Sequence, residues 1–531
     1  MLRDLLARQA LANIPRILTL LDRNAHSPTF GCFDRNYWHY KVLDFPSGMS
    51  QEFVWPLALV HELDLPGNPY YRQPAVRDWV RAGIAFAAKA AHRDGSCDDY
   101  FPFERATGAA AFSLLACVES YRLLLLDDRP SLRFFERRAD WLASHEESGR
   151  LTNHHALVVL SLTLLSKLLG TDRWDAAIGR RMGQVLSWQS EEGWFREYDG
   201  YDPGYDTLTI SCLAWLLELN PDHTELRRAV ETAVRAAGAT MHPDGSYGGE
   251  YGSRNTYNFF PHGFELAGRW LPEALSINDR FLSGALRLGF PSYEDDHLIG
   301  HHTWNYLLAW RDYVAARPPL KERPPGRVYF RQAGLLVDRR DGTELYLSLA
   351  KGGVFKLFRD SRLVASDTQI SVRARTGRRL RTAVANLPAE STTAVTEDEI
   401  VIQGRMGWAK QPQMTPAKLV LLRVVMLSLG RWFPDLIRRV LQRMIITGAG
   451  RSPFLFSRRL LWEDGCWNVV DQIRAPDWTA VGAVGLGCDQ TSVYGVMGRV
   501  FHLSQLLPWR DLTSQVSGLR PGEALQLERK L

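Results

Sequence analysis

Two polar clusters in this sequence carry the residue types that acid–base chemistry needs. The first is Leu151-Thr152-Asn153-His154-His155-Ala156. The second reads Glu192-Gly193-Trp194-Phe195-Arg196-Glu197-Tyr198-Asp199, then Gly200-Tyr201-Asp202-Pro203-Gly204-Tyr205-Asp206. Amide and imidazole groups can donate hydrogen bonds to a developing negative charge. A phenol or an imidazole can take or give a proton. Each cluster follows a Gly-containing turn and opens an apolar helix. They share one chemistry only if the two helix starts are neighbours.

Similar clusters stand at other helix starts. Tyr100-Phe101-Pro102-Phe103-Glu104-Arg105, Tyr251-Gly252-Ser253-Arg254-Asn255 and His301-His302 all precede or open apolar stretches. Arg254 reads either as the partner of an acid such as Glu250 or as a bidentate carboxylate binder. Glu104 and Arg105 either pair with each other and with neighbours or face a ligand. His302 reads as a proton-transfer group or as part of the helix start. Trp194 and Tyr251 offer flat aromatic surface for a ligand, although most of the 17 Trp and 18 Tyr are expected in the core. Asn153 could equally be a helix N-cap, His154 and His155 satisfied surface residues, and Tyr205 a packing tyrosine.

The elements that position these residues repeat. Turn glycines at 95, 149, 193, 245 and 289 step by 54, 44, 52 and 44 residues, and Gly48 opens a first copy. Each unit pairs a mostly apolar helix with an amphipathic one. An apolar helix is buried on all sides and an amphipathic one lies outside. Six inner and six outer helices over residues 1–316 make an (α/α)6 toroid, with internal repetition as the leading signal. All the polar clusters then share one mouth.

The stretch 317–326 is proline-rich and marks a linker. From 327 to 531 the period changes to short strands separated by turns, as in Glu344-Leu345-Tyr346-Leu347-Ser348-Leu349 and Gly353-Val354-Phe355-Lys356-Leu357-Phe358. This half reads as an antiparallel β-sandwich. The whole is an α+β multidomain chain. Residues 415–446 interrupt the strands with a basic amphipathic helical insertion, split at Pro434. It packs on the sandwich or contacts a membrane surface peripherally.

Composition narrows the classes. A net charge of +5 does not by itself point to nucleic acid but suits an anionic substrate or an anionic membrane surface. The six Cys show no CxxC and no regular spacing, which argues against a disulfide framework and a zinc site. No metal cluster and no cofactor motif is visible. The first residues lack an apolar signal region, and no run of about 20 apolar residues occurs, so a cytoplasmic location is expected.

A toroid followed by a sandwich, with these two clusters, resembles the heparinase II/III-like polysaccharide lyases and related alginate lyases. Thr152-Asn153-His154-His155 is similar to that family's Asn-Asn-His-Gly. Glu192-Gly193-Trp194-Phe195-Arg196-Glu197, followed by Asp202-Pro203-Gly204-Tyr205-Asp206, is similar to its Asp-Gly-Ser-Phe-(x)-Glu and Ser/Pro-x-Tyr-His. The resemblance implies β-elimination on a uronic-acid-containing poly- or oligosaccharide in surface-polysaccharide metabolism. It implies that Asn153 and His154 neutralise the substrate carboxylate and that Tyr205 transfers protons. Arg254, His302, Glu104, Arg105, Tyr251 and Trp194 are the expected substrate contacts. The chain departs from the pattern at Asp206 and His155. It also lacks a clear second histidine in the β half, where only His502 offers itself. A glycoside hydrolase using Glu104, Glu197, Asp199, Glu250, Asp295 or Asp296, a uronyl C5-epimerase and a non-catalytic saccharide-binding protein remain alternatives.

Overall fold

The computed structural model describes residues 2–147, 149–198, 200–320, 323–409, 413–437, 440, 450–487, 495–498, 501–506 and 509–531. Helices fill the first part and antiparallel sheets the second, as expected from the change of period. Six helices form the inner ring: Val54–Glu62, Thr107–Leu123, Thr152–Leu169, Pro203–Leu219, His262–Gly268 and Gly300–Arg311. Each packs on the next, and the last returns to the first. Thr107–Leu123 shows why: every residue from Thr107 to Tyr121 is buried, so no face is left for water.

The outer helices are Pro74–Ala90, Arg129–Ser144, Asp175–Ser187, Thr224–Thr240 and Pro272–Leu288, and each buries a single stripe. Leu2–Leu20 packs against Gly300–Arg311 and completes the outer layer. The five spaced glycines all adopt left-handed backbone, with φ between 78° and 103°. At Gly193 a Cβ would also stand 2.5 Å from the Thr232 carbonyl oxygen. Gly95, Gly193 and Gly245 close the same turn, each N–H bonding the carbonyl three residues back, whereas Gly289 caps Pro272–Leu288.

A five-stranded sheet follows, running in chain order through Gly326–Phe330, Leu335–Arg340, Thr343–Ser348, Val354–Arg359 and Arg362–Asp367. Its middle strands, Thr343–Ser348 and Val354–Arg359, carry apolar side chains on both faces. Val354 and Phe358 point to the helical ring, where they meet Trp194, Tyr201 and Tyr251. Phe355 and Leu357 point the other way, into a core shared with a nine-stranded antiparallel sheet. Period-two alternation thus lets one sheet serve two cores. Hydrogen bonds fix it to the ring: Tyr346 Oη donates to the Met241 carbonyl at 2.6 Å, and Lys351 Nζ donates to the Gly252 carbonyl at 3.0 Å.

The insertion begins as Pro416–Val425, capped by the Thr415 hydroxyl, and continues as a π-helical turn at Met426–Gly430. Of the expected helix 415–446, residues 438–439 and 441–446 lie outside the described residues. Among the described residues no helix is long and apolar enough to cross a membrane.

Candidate active site

Asn153 and Tyr205 are brought together by a small hairpin. Arg196–Glu197 pairs with Gly200–Tyr201, and Glu197 also bridges to Leu151. The Thr152 hydroxyl donates to the Arg196 carbonyl, and the Tyr198 N–H to that of Arg150. These bonds pin the start of Thr152–Leu169 beside Glu197. Leu151 is the N-cap residue and offers no side-chain cap. The Glu197 carboxylate takes that role across the hairpin. Its Oε1 accepts the Asn153 N–H at 3.0 Å and the Asn153 Nδ2 at 2.7 Å. A helix N-terminus favours such an anion.

Tyr205 stands in the first turn of Pro203–Leu219. Asp202 caps that helix by accepting the Tyr205 N–H at 3.0 Å. The other Asp202 oxygen accepts the Arg254 N–H at 2.9 Å, and Thr256 donates its hydroxyl to the same carboxylate. One carboxylate therefore ties the loop carrying Arg254 to the helix carrying Tyr205. Gly204 makes room, since a Cβ there would lie 2.2 Å from the Thr256 hydroxyl.

The result is a guanidinium stacked on a phenol. Arg254 lies 3.9 Å over the Tyr205 ring and 5.1 Å over the Tyr198 ring. Its Nη1 is 3.5 Å from Glu197 Oε2. The Tyr205 hydroxyl accepts a hydrogen bond from Tyr293 at 3.2 Å, and Tyr293 accepts one from Asn258 at 2.7 Å. Burial raises the Tyr205 phenol above its ordinary range, while the Arg254 charge and the Tyr293 bond pull it back. The phenol keeps its proton at neutral pH and is placed as an acid. Burial likewise raises the Glu197 carboxyl, against the pull of Arg254 and Asn153.

His154, next to Asn153, turns the other way. Its Nδ1 is 2.8 Å from Glu147 Oε2, and its side chain is 17% exposed, the most open group of this set. Gly108 permits the placement, because a Cβ there would come within 2.7 Å of the imidazole. In the tautomer that donates Nδ1–H to Glu147, Nε2 is left as an acceptor.

The structure separates the remaining candidates from this group. His302 is 1% exposed, stacked 4.9 Å from Phe260 and 5.0 Å from Tyr293, so it supports Tyr293 from behind. Glu104 accepts the N–H groups of Asp99 and Tyr100, and Arg105 pairs with Asp94 at 3.0 Å. The Tyr251 hydroxyl meets His242 at 2.8 Å, and Trp194 stacks on Tyr201 at 5.4 Å, both against the five-stranded sheet. Asp206 points inward and accepts the Phe195 N–H. His155 packs on Trp188 with its Nδ1 near Arg181. His502 lines a cavity of about 340 Å³ between ring and sheet, which none of Asn153, His154, Tyr205 and Arg254 lines. Among the described residues no cluster of His, Cys, Asp and Glu is arranged to hold a metal ion.

Sequence reasoning missed Glu147, Tyr293 and Glu52. Glu52 is fully buried, 2.5 Å from His301 Nδ1, and His301 stacks on Phe112 and meets the edge of Tyr293. Glu52 stands two positions before an apolar helix, Glu147 five and Tyr293 seven, so only Glu52 carried a signal of the kind seen at His154 and Tyr205. Burial lowers His301 and His302 to about 3 and His155 to about 4, so all three are neutral in the fold. Unfolding returns them to about 6.5, where the unfolded chain binds more protons. Stability is therefore expected to fall as pH drops below about 6.5 toward these folded values. Thermal melts across that window check it, and His302→Phe should flatten the slope.

No family model and no curated protein matches this sequence. Solved structures do match. A chondroitin AC lyase from Streptomyces coelicolor A3 is similar with a TM-score of 0.55 at 11% identity, over 92% of this chain and 68% of that one. A xanthan lyase from Paenibacillus is similar with a TM-score of 0.50 at 11% identity, over 92% of this chain and 47% of that one. This chain thus spans about half the length of that xanthan lyase. The architecture is the one seen in these polysaccharide lyases, a helical toroid followed by antiparallel sheets. At these identities the likeness is one of fold.

Proposed function

We propose that this protein is a polysaccharide lyase-like enzyme that cleaves a uronic-acid-containing saccharide by β-elimination. The observation that carries the reading is the Tyr205 phenol, stacked 3.9 Å beneath Arg254 and hydrogen-bonded by Tyr293. His154, paired with Glu147, is the chain neighbour of Asn153, whose side chain bonds the Glu197 that pairs with Arg254.

In this reading the Arg254 guanidinium stabilises the negative charge that develops on the substrate carboxylate. His154 Nε2 takes the C5 proton. The C5 electron pair forms the C4–C5 double bond as the C4–O bond breaks, and Tyr205 gives its proton to the leaving oxygen. Solvent then returns a proton to Tyr205 and removes one from His154. Asn153 acts by holding Glu197, which in turn holds Arg254. An anionic saccharide substrate and a cytoplasmic location belong to the same proposal, as do toroid and sandwich domains at 1–316 and 327–531, whereas peripheral membrane contact through 415–446 is independent of it.

A hydrolase needs two carboxyl groups facing one bond, about 5 to 9.5 Å apart. The described carboxyl candidates already have partners. Glu197 is held by Asn153 and Arg254, Glu250 by Lys356 at 2.9 Å, Glu104 by two backbone amides, and Asp296 by Arg35 at 2.5 Å. Asp295 accepts the Val496 N–H. That occupancy favours elimination.

The test is incubation with uronyl oligosaccharides in deuterated water. A new ultraviolet absorbance from a C4–C5 unsaturated product is the expected result. Cleavage without that absorbance indicates a hydrolase. Deuterium at C5 without cleavage indicates an epimerase. Saturable binding with neither leaves a saccharide-binding protein.

A further inference from the structure

The insertion leaves the large sheet after Glu399–Trp408 and reaches back to the mouth of the ring. Arg423 pairs with Asp44 at 2.9 Å and stands 5.5 Å over Phe45. Arg431 stands 5.8 Å over Phe103. Asp435 lies 3.7 Å from His145. These contacts fall on the loops that lead into the first, second and third inner helices. The segment therefore lies along the rim of the site, and His145 is two residues from Glu147.

Its remaining surface is apolar and open to solvent. No residue of Pro416–Val425 is buried. Val420 is 62% exposed, Leu421 63%, Leu427 59%, Leu429 60% and Trp432 73%. Val420, Val424 and Leu427 recur at helical spacing and make one stripe, which Leu429, Trp432 and Phe433 extend. A contiguous patch of this kind on a polar rim marks an interaction surface.

Charge decides what covers it. Within 416–437 the charged residues are Lys418, Arg423, Arg431 and the lone acid Asp435; Arg423 pairs with Asp44 and Asp435 faces His145, so Lys418 and Arg431 give the ridge its positive charge. Two copies of such a basic ridge repel each other, whereas an anionic lipid surface attracts it. Trp432 and Phe433 are of the type that settles at the boundary between headgroups and acyl chains. We propose that the ridge 416–437 docks on an anionic bilayer and seats the mouth of the ring at the membrane. If the function proposed above holds, the substrate is a glycan anchored in or lying on that membrane; docking itself does not depend on that reading.

Sedimentation of the full chain with phosphatidylglycerol–phosphatidylcholine vesicles tests this, with pure phosphatidylcholine vesicles as the reference. Binding to the anionic vesicles, weakened by salt, is expected. The variant Val420→Asp/Val424→Asp/Trp432→Asp should bind at least about tenfold more weakly, since charge is costly at a lipid interface. Its far-ultraviolet dichroism and its activity on a short soluble oligosaccharide should be unchanged. The milder Val420→Ser/Leu421→Ser is the second variant if the first does not fold. Three results overturn the proposal: no sedimentation with either vesicle, equal sedimentation of the variants, or a dimer in solution that the variants abolish. The vesicle readout needs no catalysis, so inactivity on saccharide leaves it standing and bears only on the function proposed above.

Discussion

Tyr205→Phe is expected to lower turnover on a uronyl saccharide by about 100-fold or more, the usual consequence of losing a proton-transfer group. Stability should fall by about 1–3 kcal/mol, because the buried Tyr293 hydroxyl loses its acceptor. The ring that Arg254 covers is retained, and Tyr293 keeps its bond from Asn258. What disappears is the proton that burial holds on the phenol at neutral pH. Single-turnover rates measure the effect directly, separating chemistry from binding. KM should move much less than kcat, because the ring still fills its place. A variant that turns over at the wild-type rate removes Tyr205 from the mechanism and with it the reading as a lyase.

Arg254→Ala should be the most damaging single change to the site, in stability as well as rate. Glu197 is fully buried, and Arg254 is its cationic partner at 3.5 Å. Removing one partner of a buried ion pair costs about 3–5 kcal/mol, since the remaining charge has no compensation. The pH dependence distinguishes this cause from simple loss of packing. Burial already raises the Glu197 carboxyl, and losing Arg254 removes the largest opposing influence. A carboxyl with a raised folded pKa destabilises the fold as pH rises through that value and is harmless once protonated. The deficit of Arg254→Ala relative to wild type should therefore shrink as pH is lowered from neutral. Adding Glu197→Gln should recover much of the lost melting temperature at neutral pH without restoring turnover. A deficit independent of pH, or no recovery in the double variant, would show that Arg254 matters for its packing on Tyr205 and Tyr198 rather than its charge.

The sequence alone determined the architecture. Helices that are apolar all round must be buried, helices with one apolar stripe must lie outside, and left-handed glycines at regular intervals must join them. These are local properties, read from a few turns of chain at a time. The change to period two after the prolines marked the sheets for the same reason, as in Val354 to Phe358. The two polar clusters were also legible, since chemistry needs particular residue types and these stood out at helix starts.

How those residues divide the work was decided only by the tertiary structure. Asn153 looked like a cap or a substrate contact, but its amide is taken by Glu197, 44 residues away. Tyr293, which polarises Tyr205, is 88 residues from it, and Glu52 meets His301 across 249. Arg254, read as either an acid's partner or a carboxylate binder, is turned onto Tyr205 by Asp202. Glu104, Arg105, Trp194 and Tyr251 have the residue types of a sugar cleft, yet each bonds within its own loop, Glu104 to the Tyr100 N–H, Arg105 to Asp94, Trp194 to Glu192 and Tyr251 to His242. A sequence shows which donors and acceptors a chain carries. Which of them pair with each other is set when ring closure brings distant loops to one mouth, because a buried polar group must be satisfied by whatever the fold places beside it.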